Sequence, residues 1–187
     1  MQKKETEIFC PANREAWRQW LLENHRRMEA VWLVYYRKSS GIPSVLYSEA
    51  VDEALCFGWI DSKRLSLGDG RYKQFYCPRK SRSGWSKVNK EKVERLIAEG
   101  RMTEAGLRSI EAAKKNGSWT LLDEVEEAKI PADLAQAFRE HPGTRKAFLA
   151  LSRSVRKMML QQLVFAKRAE TRAKRIQAIV KQVQGSG

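Results

Sequence analysis

The sequence predicts an α+β fold: a small antiparallel sheet packed by helices, followed by a helical C-terminal module. Three observations predict it. Ala30 to Tyr36 reads AVWLVYY, an apolar run rich in β-branched and aromatic residues, which suits a central strand. Trp59 to Leu67 and Arg71 to Cys77 flank Gly68-Asp69-Gly70, the pattern of two strands joined by a tight turn. From about Val155 to the end, apolar residues recur at helical spacing. Strands are expected near residues 30–37, 59–67 and 71–77, in a core domain of residues 1–117. The helical module, with its basic terminal helix, is expected over 118–187.

The elements follow in chain order. Asn13 is placed to cap a helix that carries Trp17, Trp20 and Leu21 on one face, with His25 near its end. Ser39 to Pro43 reads as a loop. Ser48 is expected to cap a short helix with Ala50, Val51, Ala54 and Leu55 facing inward, closed by a left-handed Gly58. Cys56, at its end, reads as a buried small hydrophobe. Pro78 stops the return strand of the hairpin, because it has no N–H to donate.

Ser86 is expected to cap the next helix, with Val88, Leu96 and Ile97 inward and Gly100 ending it. Thr103 caps a further helix, stopped by Asn116-Gly117. Trp119 to Ile130 reads as a connection, and Pro131 opens a helix at its first turn. His141-Pro142-Gly143 breaks the chain again. The last helix carries an apolar stripe of Phe165, Ala169, Ala173, Ile176, Val180 and Val183. The closing Gly185-Ser186-Gly187 reads as disordered.

Composition bounds the function. With 187 residues, 42% hydrophobic and 31% charged, the chain reads as a soluble globular protein large enough to bury a core. No run approaches the ~18 apolar residues of a membrane span. The opening MQKKETEIFCPANREAW has no apolar signal core, so a cytoplasmic location is expected. Cys10, Cys56 and Cys77 lack CxxC spacing, and the chain has only two histidines. A disulfide framework, a metal centre and a cofactor are therefore not expected. The net charge of +14 favours an anionic partner: nucleic acid, anionic lipid or an acidic protein. The charge is uneven, since the basic residues after Arg153 follow an acidic stretch from Thr120 to Glu140.

Chemistry concentrates between Cys56 and Asn89. Trp59, Tyr72, Tyr76 and Trp85 are interleaved there with Asp61, Arg79, Lys80, Ser86 and Asn89. In the strand from Trp59, alternation puts Trp59, Asp61 and Lys63 on one face. An aromatic ring next to an acid is costly to bury without a partner, and Arg79 is the nearest basic candidate. Asp61 and Arg79 are expected to approach within hydrogen-bonding reach. A pocket lined by Trp59, Arg79 and Trp85 is expected between the hairpin and the helix that begins at Ser86, holding a small molecule or peptide.

At these residues the chain resembles the YdeI/OmpD-associated, bacteriocin-protection family. The matching pieces are Trp17-x-x-Trp20-Leu21 with Asn24-His25, the Val31–Tyr36 strand, and Glu49-Ala50 leading to Phe57-Gly58-Trp59-Ile60-Asp61. Further on come Pro78-Arg79-Lys80, Trp85-Ser86 with Asn89, Gly100-Arg101-Met102, and Ala166-Lys167-Arg168-Ala169-Glu170-Thr171-Arg172 with Arg175-Ile176. The resemblance implies a role in resistance to peptide toxins or cell-envelope stress. It implies no established reaction and so assigns no catalytic residue.

Three readings stay open at this point. In the first, a non-catalytic binding protein holds its ligand at Trp59, Asp61, Arg79, Trp85, Ser86 and Asn89. In the second, Lys167, Arg168, Arg172 and Arg175 of the basic terminal helix meet nucleic-acid phosphates. In the third, Asp61 is the acid or base of an enzyme.

Overall fold

A computed structural model describes residues 6–185; Ser186 and Gly187, at the tail read as disordered, lie outside the described residues. The fold is α+β, and the described chain divides into two compact units. One holds residues 6–83 with 88–119, the other 84–87 with 120–185.

The first unit is built on a four-stranded sheet of β1 (Ile8–Phe9), β2 (Val31–Tyr36), β3 (Trp59–Gly68) and β4 (Arg71–Pro78). Its strand order is β1-β2-β4-β3. The expected sheet was wholly antiparallel. The structure adds β1, which pairs parallel to β2, so the sheet is mixed. A two-residue strand carries no periodicity to read, and only its distant partner defines it. The hairpin turns through Asp69 and Gly70, at φ 48° and 72°, the left-handed pair that a two-residue turn of this hand requires. Two register irregularities follow on β3, between Asp61 and Arg64 and between Ser66 and Gly68.

Helices α1 (Arg14–Asn24) and α2 (Tyr47–Cys56) bring the apolar cover of this unit. Asn13 caps α1 by accepting from the Ala16 N–H at 2.9 Å. Trp17 and Leu21 are fully buried, and Phe9 stacks on Trp20. Register places Val31, Leu33, Tyr35, Tyr72, Gln74 and Tyr76 on one face of the sheet, and all but Tyr72 are buried there. Ser48 does not cap α2. The helix begins at Tyr47, and the Glu49 carboxylate takes the Leu46 N–H instead.

Two acids lie inside α2. Glu53 is completely buried and accepts from Arg14, Arg18 and Arg101 at 2.5–2.6 Å. Asp52 pairs with Lys92 and Arg95 of α3 (Lys87–Ala98), each at 2.5 Å. Burial alone would push the Glu53 carboxyl up, but the hydrogen bonds from the three guanidiniums outweigh it and hold its pKa below the ordinary value. The inward face of α3 is Val93 and Leu96; Val88 and Ile97, expected inside, are exposed. The ion pairs at Lys92 and Arg95 turn the helix so that its 93–96 flank faces inward. α4 (Glu104–Lys115) starts at a Thr103 cap and runs against the end of α2, where Thr103 N–H and Oγ1–H both donate to the Cys56 carbonyl.

The second unit is helical: α5 (Asp123–Glu126), α6 (Ala132–Glu140), α7 (Thr144–Ala150), α8 (Arg153–Val164) and α9 (Ala169–Gln184). Its core gathers Leu122, Leu134, Phe138, Phe148, Met159, Leu163, Ile179 and Val183. The single long terminal helix expected from Val155 is broken at Phe165. Phe165 caps α8 and is 42% exposed, and Ala169 and Ala173 are exposed as well. The buried stripe of α9 is Ile176, Ile179, Val180 and Val183. After the break, α9 packs with its own register, so the stripe no longer continues from Phe165.

Candidate functional site

The base of the hairpin forms the first candidate site. Gly58, at φ 71°, ends α2 and sends the chain into β3, and its carbonyl accepts the Arg79 N–H at 2.8 Å. This bond fixes Arg79 just beyond Pro78, opposite Trp59 in the register. A cleft of about 290 Å³ opens here. Phe57, Trp59, Pro78 and Ala105 give it apolar walls, and Arg79, His25, Arg108 and Ser109 supply polar groups. The His25 Nδ1–H donates to the Leu21 carbonyl at 2.8 Å, so Nε2 is the nitrogen that a ligand can use. Burial lowers the half-buried Arg79 guanidinium to about 10, with the Asp61 charge working against that shift. It stays protonated at neutral pH.

Asp61 lies in a second cluster on the same strand. Its Oδ2 accepts from the Tyr47 hydroxyl at 2.8 Å and from Gln74 Nε2 at 2.9 Å. Around it, Tyr35 and Tyr72 stack with ring centroids 4.8 Å apart, and the Tyr35 and Tyr76 hydroxyls share a buried hydrogen bond of 2.8 Å. Burial pushes the Tyr35, Tyr76 and Tyr47 phenols well above their ordinary range, so all three stay neutral. The Asp61 side chain takes two neutral donors, the Tyr47 hydroxyl and the Gln74 amide, and its charge acts on Arg79 through space.

The other expected residues are distributed differently. Trp59 and Trp85 are each 1% exposed, so both are core rings; Trp59 borders the cleft with its Nε1–H donating to the His25 carbonyl. Trp85 and Ser86 belong to the second unit and Asn89 to the first. The tyrosines 35 and 47 lie outside the hairpin: sheet register brings Tyr35 of β2 to this face, and the start of α2 brings the Tyr47 hydroxyl to Asp61. The even spacing of Tyr72 and Tyr76 along β4, which puts both on one face, was the available signal.

In the basic terminal helix, Arg172 forms a fork with Asp133 at 2.5 and 3.0 Å and also donates to the Leu163 carbonyl. Arg175 donates to the Gln162 carbonyl. Lys167 and Arg168 are exposed. Half of the basic set is thus engaged within its own unit: Arg172 meets Asp133 of the acidic stretch, and Arg175 a backbone carbonyl of α8. Cys56 is fully buried, and burial together with the Glu53 charge pushes its thiol up to about 11. Among the described residues no group of three His, Cys, Asp or Glu side chains is placed to hold a metal ion, and no helix is long and apolar enough to cross a membrane.

Comparison with known proteins divides the chain along similar lines. A family model described as a domain of unknown function (DUF8412) matches residues 9–109, more than half of the chain. A second, described as "Bacteriocin-protection, YdeI or OmpD-Associated", matches residues 127–185. No curated protein and no solved structure matches. The resemblance read across most of the chain is therefore carried by its last part, around Lys167 to Ile176, while the Trp59–Asp61 and Arg79 pieces fall under the first model. Its last part, residues 127–185, is similar to the YdeI/OmpD-associated bacteriocin-protection domain, and through residues 9–109 the chain belongs to the family of the DUF8412 domain.

Proposed function

We propose that this is a non-catalytic binding protein of bacterial stress or peptide-toxin resistance, acting in the cytoplasm, whose ligand seats in the cleft at the base of the hairpin. The observation that carries the reading is Arg79: a half-buried, charged guanidinium forming the wall of an open cleft whose other sides are Phe57, Trp59, Pro78 and Ala105. Charged groups perturbed in this way concentrate at functional sites. The cleft lies at the small end of ligand-site volumes. Arg79 with His25 suits a carboxylate, a phosphate or a peptide carbonyl on a small molecule or peptide.

The absence of a reaction in this reading is supported by the state of the reactive groups. The Cys56 thiol is buried and protonated, and Asp61 is held by two neutral donors. The family resemblance supplies the biological role and the cleft supplies only the chemistry.

The test is titration of isotope-labelled protein with acetate, inorganic phosphate and N-acetylated dipeptides, followed by NMR. The expected result is saturable movement of the Arg79 side-chain N–H and the His25 ring signals, lost in Arg79→Gln. Saturation elsewhere, with these signals unmoved, overturns the reading. Turnover lost in Asp61→Asn with the fold intact would establish the enzyme instead, and binding of generic DNA or RNA that weakens steeply with salt would establish the tail.

A further inference from the structure

The register irregularity between Asp61 and Arg64 has a chemical result. In a regular strand, residues three apart point to opposite faces. The bulge removes that rule on β3: Asp61 pairs with Tyr76 and Arg64 with Gln74, both partners on the face that carries Tyr35 and Tyr72. Arg64 is thereby turned onto the tyrosine face, and its guanidinium carbon lies 3.9 Å from the centre of the Tyr72 ring. Tyr35 stacks at 4.8 Å and 4°, which puts it on the opposite side of Tyr72. Tyr72 is held between a ring and a cation.

The rest of the cluster suits a cation too. The Tyr47 ring stands edge-on to Tyr35, at 62° and 6.5 Å between centroids. Its hydroxyl and the Gln74 amide both donate to Oδ2 of Asp61, which orients the carboxylate and keeps Oδ1 for another donor. Tyr47 is 46% exposed and Arg64 is exposed, so the cluster opens to solvent at this end. Stacked aromatic faces beside a fixed carboxylate recognise guanidinium and ammonium groups: the rings attract the charge through their faces and the carboxylate takes the N–H bonds.

We propose that Tyr35, Tyr47, Tyr72 and Asp61 form a binding site for the guanidinium of a peptide arginine, and that Arg64 covers its outer ring face until such a group displaces it. Arg64 is tethered to the bulge and reaches the ring; an incoming arginine gains the ring face and Oδ1 of Asp61 together. The site is distinct from the Arg79 cleft and takes the opposite charge, so it stands or falls independently of the function proposed above.

The experiment titrates N-acetyl-arginine amide, its neutral citrulline analogue and an arginine-containing tripeptide into wild type, Arg64→Ala and Arg64→Gln, following the Gln74 side-chain amide by NMR. Removing a self-occupant that fills the site about nine-tenths of the time tightens binding about tenfold. The expected result is that both Arg64 variants bind the arginine amide about tenfold more tightly than wild type, that the citrulline analogue does not bind, and that Asp61→Asn in the Arg64→Ala background removes binding. Tighter binding of the tripeptide than of the amide supports a peptide as the source, because only the tripeptide adds neighbouring peptide groups. Equal affinity in wild type and both Arg64 variants, or binding that survives Asp61→Asn, overturns the proposal.

Discussion

Gly106 approaches Cys56 so closely that a β-carbon on the glycine would stand 2.3 Å from the Cys56 carbonyl oxygen. The same carbonyl accepts both the Thr103 N–H and its hydroxyl, so the first turn of α4 is locked onto the last residue of α2. The obstacle is backbone and cannot swing aside. Gly106→Ala is expected to destabilise the protein by about 1–3 kcal/mol through forced separation of the two helices. Urea denaturation checks this: the midpoint falls with an unchanged slope.

Glu53 predicts an acid limb of stability. Its folded pKa lies below the unfolded value of 4.5, so its contribution is fully present above pH 4.5 and is lost as pH falls through the folded value. Glu53→Gln leaves three arginines around a neutral amide and is expected to cost about 3–5 kcal/mol at pH 7. The gap between wild type and variant closes as the pH falls from 4.5 through the folded value. A gap independent of pH would show that packing, not charge, is what the substitution removes.

The buried Tyr35–Tyr76 hydroxyl pair predicts non-additivity. Tyr35→Phe leaves the Tyr76 hydroxyl buried without this partner, at a cost of about 1–3 kcal/mol. The double substitution to phenylalanine is expected to be less destabilising than the sum of the two single ones. A double-mutant cycle by thermal or chemical denaturation measures the difference.

Within the helical unit, Ile179→Ala is expected to cost about 2–5 kcal/mol, since the side chain lies in the core with Leu163 and Val183. Arg172→Ala removes a partly exposed fork to Asp133 and is expected to cost about 1 kcal/mol or less. The contrast separates the apolar stripe of α9 from its charges as the source of stability.

Cysteine labelling under native conditions is expected to modify the exposed Cys10 first and the half-buried Cys77 more slowly, while Cys56 reacts only after unfolding. Mass spectrometry of a time course with iodoacetamide decides it.

Local chemistry made much of the fold legible. Asn13, Thr103, Gly58 and the Asp69-Gly70 turn act within a few residues of themselves, and each stands where its chemistry requires. The misreadings share a different cause. Asp52 and Glu53 interrupt an apolar helix face, and their burial makes sense only through Arg14, Arg18, Lys92, Arg95 and Arg101, all of them 35 or more residues away. Val88 and Ile97 satisfy a helical period that the ion pairs of α3 override. At the candidate site, Asp61 and Arg79 were visible as chemistry. The tyrosines that enclose Asp61 were hidden, because a bulge and a cross-sheet register decide which side chains share a face.

The outer edge of the sheet has a bearing on how copies of this protein meet. β3 is an edge strand with ten residues, long enough to invite a neighbouring chain to add a strand of its own. Two breaks in its register and the exposed Lys63 and Arg64 interrupt the row of backbone donors and acceptors that such an addition would follow. Sideways growth into ribbons along this edge is therefore expected to be disfavoured even at high concentration.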